Sequence, residues 1–311
     1  MNFRLLITAA GTGTGFGYAQ AKARWFPGIT LFTGDINPVE EVTASLFAER
    51  HLQLLPSAAG NYFPTLQRLL GEHAIDVYIP LIDAEVMQAA ELRDELPAYV
   101  ACNSPEFCRT AIVKSRYGEW LDVGSVAALG PLAHGELREG MRVVAKRDGG
   151  FGGRATRIVE NIDEAERLLQ GGWTLYPYIA GEEYTVDCFP LDGEVATSVR
   201  QRLEIKSGVC TKARIIRDDV LAELAWYLCQ RFALTEPFCF QTRRAGGQHY
   251  LIDINPRLGA GTAMSALNGM DFFAAHLARL SRRDPRDFLR QRFGQCVVTR
   301  QYAEYLMSAT P

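Results

Sequence analysis

Phe238-Cys239-Phe240-Gln241-Thr242-Arg243 is followed, past the turn Ala245-Gly246-Gly247, by Leu251-Ile252-Asp253-Ile254-Asn255-Pro256-Arg257-Leu258-Gly259-Ala260-Gly261. Two apolar-rich runs flanking a glycine pair read as a β-hairpin. On a strand, residues two apart share a face, so Asp253 and Asn255 point the same way. Gln241, on the preceding strand, can join them across the hairpin. Three oxygen donors on one surface suit a hard cation such as Mg²⁺, whose remaining ligands are phosphate oxygens and water. The same pattern also fits an ordinary hairpin with a polar, solvent-facing side.

Upstream, the first hundred residues alternate strand and helix. Strands are expected near 3–9, 29–33, 76–80 and 99–102, with helices running to about 26 and over 61–73 and 84–95. Strands separated by helices imply right-handed βαβ units and a parallel sheet. Residues 1–105 therefore read as an open, Rossmann-like α/β domain. The glycines Gly11, Gly13, Gly15 and Gly17, with Asp35 after the second strand, invite a dinucleotide reading. The GxGxxG spacing fails, because Phe16 or Tyr18 stands where the third glycine belongs. A tight turn is the simpler reading. Glu85, in Ile82-Asp83-Ala84-Glu85, either contacts a substrate amine or is an exposed acid favoured by the helix dipole.

Beyond Asn103-Ser104-Pro105 the pattern becomes α+β. Strands are expected near 142–146, 155–159, 174–178, 183–190, 194–202, 211–216 and 296–300, and helices near 163–170, 218–232, 271–281 and 285–292. Lys146 precedes the glycine-rich turn Asp148-Gly149-Gly150-Phe151-Gly152-Gly153. Glycines admit backbone N–H groups to a phosphate and lysine adds a point charge. The lysine comes before the glycines, so this is not a Walker A loop; a mobile hairpin with solvated charge also fits. Tyr176-Pro177-Tyr178-Ile179-Ala180-Gly181 then joins two β regions and can offer backbone groups to an adenine edge.

Composition sets bounds on class. The chain has 311 residues, 48% hydrophobic and 22% charged, enough for about two domains with a real core. A net charge of −3 gives no global drive toward nucleic acid or lipid headgroups. No apolar run reaches the roughly 20 residues of a membrane helix. The odd count of seven cysteines, without a CxxC pair, fits reduced thiols in the cytoplasm. Five scattered histidines make no zinc-type pair.

Taken in order, Lys114, Lys146 with its glycine flap, YPYIAGEEYTVD, RQRLEIKSGVCTKARI, FCFQTRR and LIDINPRLGAG resemble the ATP-grasp superfamily, in particular its carbamoyl-phosphate-synthase-like branch. The resemblance covers nearly the whole chain and is most specific at IDINPRLGAG and YTVD. It implies an α/β domain over 1–105 and an α+β ATP-grasp domain over 106–311, divided into a small glycine-rich lid at about 112–178 and a metal- and ATP-binding part at 179–311. It further implies that Lys114, Lys146, Gly152 and Gly153 meet ATP phosphates. Tyr178 and Ile179 would flank adenine through their backbone, and Glu183 would bind ribose. Gln241, Asp253 and Asn255 would hold Mg²⁺, or Mn²⁺ in its place. Arg257 would face the transferred phosphoryl group, with Lys206 and Arg202 near phosphate or substrate. Asp253 replaces the family's usual glutamate, Pro177 stands where an acid often meets the adenine amino group, and a Pro-rich step between the two lysines is missing.

The implied reaction is ATP- and Mg²⁺-dependent activation of a carboxylate as an acyl phosphate, followed by attack of an amine. The implied partners are small-molecule carboxylates and amines, and a homodimer is the base-rate expectation. The alternatives are an NAD-dependent oxidoreductase built on the first domain, and an ATP-binding module without catalysis.

Overall fold

The computed structural model describes residues 2–146, 156–206 and 208–308. The leading region is built from β1 (Arg4–Ile7), α1 (Gly13–Trp25), β2 (Thr30–Asp35), β3 (Arg50–Gln53), α2 (Tyr62–Glu72), β4 (Val77–Ile79), α3 (Asp83–Glu91) and β5 (Tyr99–Val100). Their sheet runs in the order β3-β2-β1-β4-β5 with every pair parallel. Leu5, Ile7, Leu31 and Ile79 are buried on one face with α1, while Leu6, Phe32 and Tyr78 are buried on the other against α2 and α3. The strand order reverses between β1 and β4, and in open α/β sheets the crevice at that point is where ligands bind. The loop after β1 and the start of α3 form its rim.

Thr12 caps α1 by accepting from Gly15 N at 3.2 Å. Gly11 N donates to Asp35 Oδ2 at 2.8 Å, and Asn37 N and Nδ2 both donate to Asp35 Oδ1 at 3.0 Å. The acid that a dinucleotide reading would assign to ribose is thus already engaged in shaping the loop. Glu85 is neither exposed nor open to a substrate amine: it is 1% exposed and accepts from the hydroxyls of Tyr62 and Tyr78. Burial pushes its carboxyl above the usual range.

The rest of the chain forms α4 (Pro105–Ile112), β6 (Val126–Ala128), β7 (Val143–Lys146), β8 (Thr156–Val159), α5 (Ile162–Gln170), β9 (Thr174–Pro177), β10 (Glu182–Leu191), β11 (Glu194–Lys206), β12 (Val209–Ile216), α6 (Asp219–Phe232), β13 (Phe238–Ala245), β14 (Gln248–Asn255), α7 (Ala263–Ala266), α8 (Phe272–Leu280) and β15 (Cys296–Thr299). Among the described residues, β8-β7-β9 make a small antiparallel sheet, and β15-β12-β11-β10-β13-β14-β6 make a large one, antiparallel except for β14 with β6.

The alternation within the large sheet decides the architecture. Tyr184, Val186, Cys188, Val199, Phe238, Phe240 and Ile254 face one side and pack under α6 and α4, with Leu221, Leu224, Leu228 and Phe107. The opposite face carries Glu183, Thr185 and Asp187 on β10, Arg200 and Arg202 on β11, Gln241 and Arg243 on β13, and Asp253 and Asn255 on β14, as the register requires. One side of the sheet is therefore core and the other a polar floor.

Residues 285–292 do not form the expected α-helix. Only Pro285–Phe288 turns, as a 3₁₀ segment capped by Asp284. Arg290 N and Arg292 N donate instead to the carbonyls of Gly269 and Asn268, drawing the chain against the α7–α8 connection. All seven cysteines are free thiols, and no helix among the described residues is long and apolar enough to cross a membrane.

A buried polar chain ties the leading sheet to the large one. Tyr18 Oη on α1 lies 2.6 Å from His276 Nδ1 on α8, His276 Nε2 lies 2.8 Å from Glu236 Oε2, and Tyr99 Oη on β5 donates to Glu236 Oε1 at 2.7 Å. Asn103 adds three bonds, to Glu236 O, Thr235 N and Glu236 N. Burial opposes charge on Glu236, but His276 and Tyr99 together hold its carboxyl below the usual value. A folded pKa below the unfolded one stabilises fully above the unfolded carboxylate range, and that stability is lost as pH falls through the folded value. Glu236→Gln is expected to lower stability at neutral pH and to flatten its decline on acidification below about pH 4.3. Urea melts across that range test this; parallel declines in the two proteins would contradict it.

Candidate active site

The polar floor gathers most of the charged residues singled out in the sequence. Gln241 stands opposite Asp253 in the β13–β14 register, and a bulge follows Gln241. Asn255 Nδ2 donates to Asp253 Oδ2 at 3.4 Å. Lys114 opens a 3₁₀ turn, Lys114–Glu119, directly after α4. Its Nζ lies 2.5 Å from Asp253 Oδ1, with both side chains 23% exposed. Tyr117 fixes this turn over the strand: its hydroxyl donates to Ala111 O at 2.6 Å and accepts from Ile254 N at 3.0 Å.

Lys146, at the end of β7, reaches across from the small sheet and donates to Ile252 O at 2.9 Å. Burial pulls its ammonium pKa down, with Lys114 adding to that effect and Asp253 opposing it. Lys114, Tyr117, Leu129, Lys146, Tyr176, Leu251 and Ile252 line a narrow cleft between the two sheets. Two ammonium groups stand at its wall, where they favour an anionic ligand. Gly152 and Gly153 lie outside the described residues.

Next to the cleft, Glu183 is held from two sides. Arg202 Nη1 donates to Oε1, and Arg243 Nη2 donates to Oε2 at 3.0 Å. Arg243 Nη1 also donates to Ile179 O at 2.9 Å, and Tyr178 N donates to Arg142 O at 3.1 Å. The Tyr178 ring carries Arg142 at 4.2 Å and Arg243 at 5.2 Å from its centroid. These two backbone groups of the connecting segment are thus engaged within the protein.

Gly181 sits where β10 begins hard against β13. A Cβ there would stand 1.9 Å from the Arg244 carbonyl oxygen. Gly181→Ala must push two paired strands apart and is expected to cost about 1–3 kcal/mol. A urea midpoint unchanged from the wild type would contradict that close approach.

Arg257 leaves β14 toward the leading domain. Its Nε lies 2.8 Å from Asp83 Oδ1 at the head of α3, and its Nη1 donates to Leu258 O at 3.1 Å. Lys206 is not gathered with the others: its side chain is 68% exposed and pairs with Glu204 at 2.7 Å.

Residues 171–301 match the family described as "ATP-grasp in the biosynthetic pathway with Ter operon". N5-carboxyaminoimidazole synthetase from Staphylococcus aureus, solved with ADP, superposes with a TM-score of 0.69 at 14% identity, over 91% of this chain and 78% of that one. Biotin carboxylase from Campylobacter jejuni, solved as a beta-gamma-ATP complex, gives a TM-score of 0.72 at 15% identity, over 89% and 70%.

The fold is that of the ATP-grasp proteins.

L-amino acid ligase from Bacillus licheniformis shares it as well, with a TM-score of 0.68 at 14% identity, over 93% of this chain and 78% of that one. No curated protein matches the chain in sequence.

Within this ATP-grasp fold, three residues beside the site carried little signal in the sequence. Arg243 was legible only as the period-two neighbour of Gln241, which places it beside Glu183 once β13 pairs with β10. Tyr117 acts through its hydroxyl on a strand far along the chain. Asp83 was not singled out beside Glu85, and its partner Arg257 lies far along the chain.

Proposed function

We propose that this protein is an ATP- and Mg²⁺-dependent ligase that activates a carboxylate as an acyl phosphate and joins it to an amine. The observation that carries the reading is the convergence of Lys114, Asp253 and Asn255 on one floor, beside the narrow cleft that Lys146 and Tyr176 also line. The donor set suits Mg²⁺: one carboxylate and two amides offer oxygen and leave coordination positions for phosphate oxygens. The Lys114 ammonium resting on Asp253 marks the spot as one that draws positive charge. Bound Mg²⁺ supplies charge neutralisation on the phosphates.

Lys114 and Lys146 neutralise the polyphosphate, Tyr178 and Ile179 flank the ring, and Glu183, oriented by Arg202 and Arg243, faces the ribose hydroxyls. A substrate carboxylate oxygen attacks the γ-phosphorus, the bond to the β–γ bridging oxygen breaks, and ADP leaves with that electron pair. Arg257 faces the resulting acyl phosphate. The amine nitrogen attacks the acyl carbon, phosphate departs, and the amine proton passes to phosphate or water. Such transfer asks the protein for positioning and charge and requires no protein nucleophile. The small β8-β7-β9 sheet with α5 acts as the lid over the nucleotide, while Lys114–Glu119 and β6, within the 112–178 range expected for the lid, pack on the large sheet; residues 1–105 supply the substrate crevice.

The S. aureus and C. jejuni proteins, solved with ADP and as a beta-gamma-ATP complex, support a nucleotide in this fold. Thermal melting with ATP and Mg²⁺, followed by an ADP-release screen of carboxylates paired with amines, tests the proposal. Stabilisation by Mg²⁺ and ATP together, and ADP release with a matched pair, are the expected results; no stabilisation by that combination ends it.

A further inference from the structure

Asp253, the carboxylate of the candidate cation set, already holds a cation of the protein's own. Lys114 Nζ lies 2.5 Å from its Oδ1, and that oxygen is itself buried. Its Oδ2 accepts from Asn255 Nδ2 at 3.4 Å. The lysine is not a loosely tethered surface group. It opens the turn Lys114–Glu119, and Tyr117 pins that turn between α4 and β14 through Ala111 O at 2.6 Å and Ile254 N at 3.0 Å. Charge around the adjoining cleft is lopsided. Among the described residues, Lys114, Lys146, Arg202 and Arg243 stand against two carboxylates, Asp253 and Glu183, and Glu183 is taken up by the two arginines. Asp83 and Asp187 each hold an arginine of their own. A free divalent cation therefore meets excess positive charge there, whereas a polyphosphate meets opposite charge.

We infer that Lys114 makes Mg²⁺ entry conditional on the nucleotide. Its ammonium is the counter-ion of Asp253 and keeps Mg²⁺ off that carboxylate. A polyphosphate draws the ammonium away, frees Oδ1 and brings the negative charge that holds the metal. This rests on the ligase reading, in which Lys114 meets phosphate and Asp253 meets Mg²⁺, and adds a competition of two cations for one oxygen. Mg²⁺ approaches its oxygens to about 2.0–2.1 Å, and an ammonium 2.5 Å from the same oxygen both blocks and repels that approach. Both side chains keep 23% exposure, so the pair can separate without leaving a bare buried charge.

The test titrates Mg²⁺ alone, without nucleotide, into the full chain by calorimetry. The wild type is expected to show no saturable binding at Asp253. Lys114→Met should bind Mg²⁺ at least about tenfold more tightly than the wild type, because one like charge has left the oxygen. In metal-free buffer the same variant should bind a non-hydrolysable ATP analogue more weakly than the wild type, so one substitution moves the two affinities in opposite directions. Adding Asp253→Asn to Lys114→Met should erase the gain for Mg²⁺, which assigns the gain to Asp253. Lys114→Gln repeats the comparison if the methionine variant does not fold. Equal Mg²⁺ binding by the wild type and the Lys114 variants, no binding by any of them included, overturns the inference. A gain that survives Asp253→Asn does so too. So does saturable Mg²⁺ binding by the wild type that Asp253→Asn removes, a comparison that needs no Lys114 variant. Failure of the wild type to bind the nucleotide analogue together with Mg²⁺ overturns the ligase reading instead, which separates the two.

Discussion

Asp253→Asn is expected to weaken the Mg²⁺-dependent part of ATP binding, and with it turnover, by about 100-fold or more. Asp253 is the carboxylate of the candidate cation set, since Gln241 and Asn255 contribute neutral amides. Changing it to an amide keeps the shape and removes the charge. It also leaves the Lys114 ammonium, now 2.5 Å from Asp253 Oδ1, without that counter-charge. The cost to folding is small, because the ion pair is partly exposed at 23% for each side chain and such pairs contribute about 1 kcal/mol or less. The variant should therefore melt close to the wild type without ligand, and lose the extra stabilisation that Mg²⁺ adds to ATP. Calorimetric titration of ATP with and without Mg²⁺ reads this directly. An unchanged Mg²⁺ dependence would remove Asp253 from the cation site.

The largest stability effect is expected from Asp187→Ala. Asp187 is fully buried and meets a buried arginine with both oxygens: Arg200 Nη1 lies 2.7 Å from Oδ2 and Nη2 lies 2.9 Å from Oδ1. Thr262 and Ser265 hydroxyls donate to the same carboxylate at 2.8 Å each. This cluster anchors the segment just after Arg257 onto the polar floor of β10 and β11. Removing one member leaves a buried guanidinium and two hydroxyls without their acceptor. Breaking such a pair costs about 3–5 kcal/mol. Replacing both charges, as in Asp187→Leu with Arg200→Met, should recover most of that loss, because the desolvation penalty disappears with them. Urea melts of the single and double variants decide it. A single variant within about 1 kcal/mol of wild type would mean that the pair is not the anchor.

Much of the architecture was legible because it depends on local periodicity. The strand–helix alternation of the first hundred residues forecast a parallel sheet, and the sheet is parallel throughout. The two-residue repeat in Asp253-Ile254-Asn255 placed the carboxylate and amide together, and hairpin pairing brought Gln241 opposite. Short or weakly patterned elements escaped. β3 begins Arg50-His51 without an apolar alternation, and β6 is three residues that pair in parallel with β14 from far along the chain. The Ser104-Pro105 start of α4 is a capped helix N-terminus that reads equally as a linker.

The sequence by itself determined most of the longer, strongly patterned strands and helices, and which of their side chains share a face, because φ/ψ preference and pleat act between neighbours in the chain. Only the tertiary structure decided the partners. Asp187 with Arg200 and Ser265, Glu236 with His276 and Tyr99, Glu183 with Arg243, and Asp83 with Arg257 each join separate elements. A charge in a sequence announces that it needs a counter-charge, but not which one. That choice is made when whole sheets pack and burial makes an unpaired charge too costly to keep.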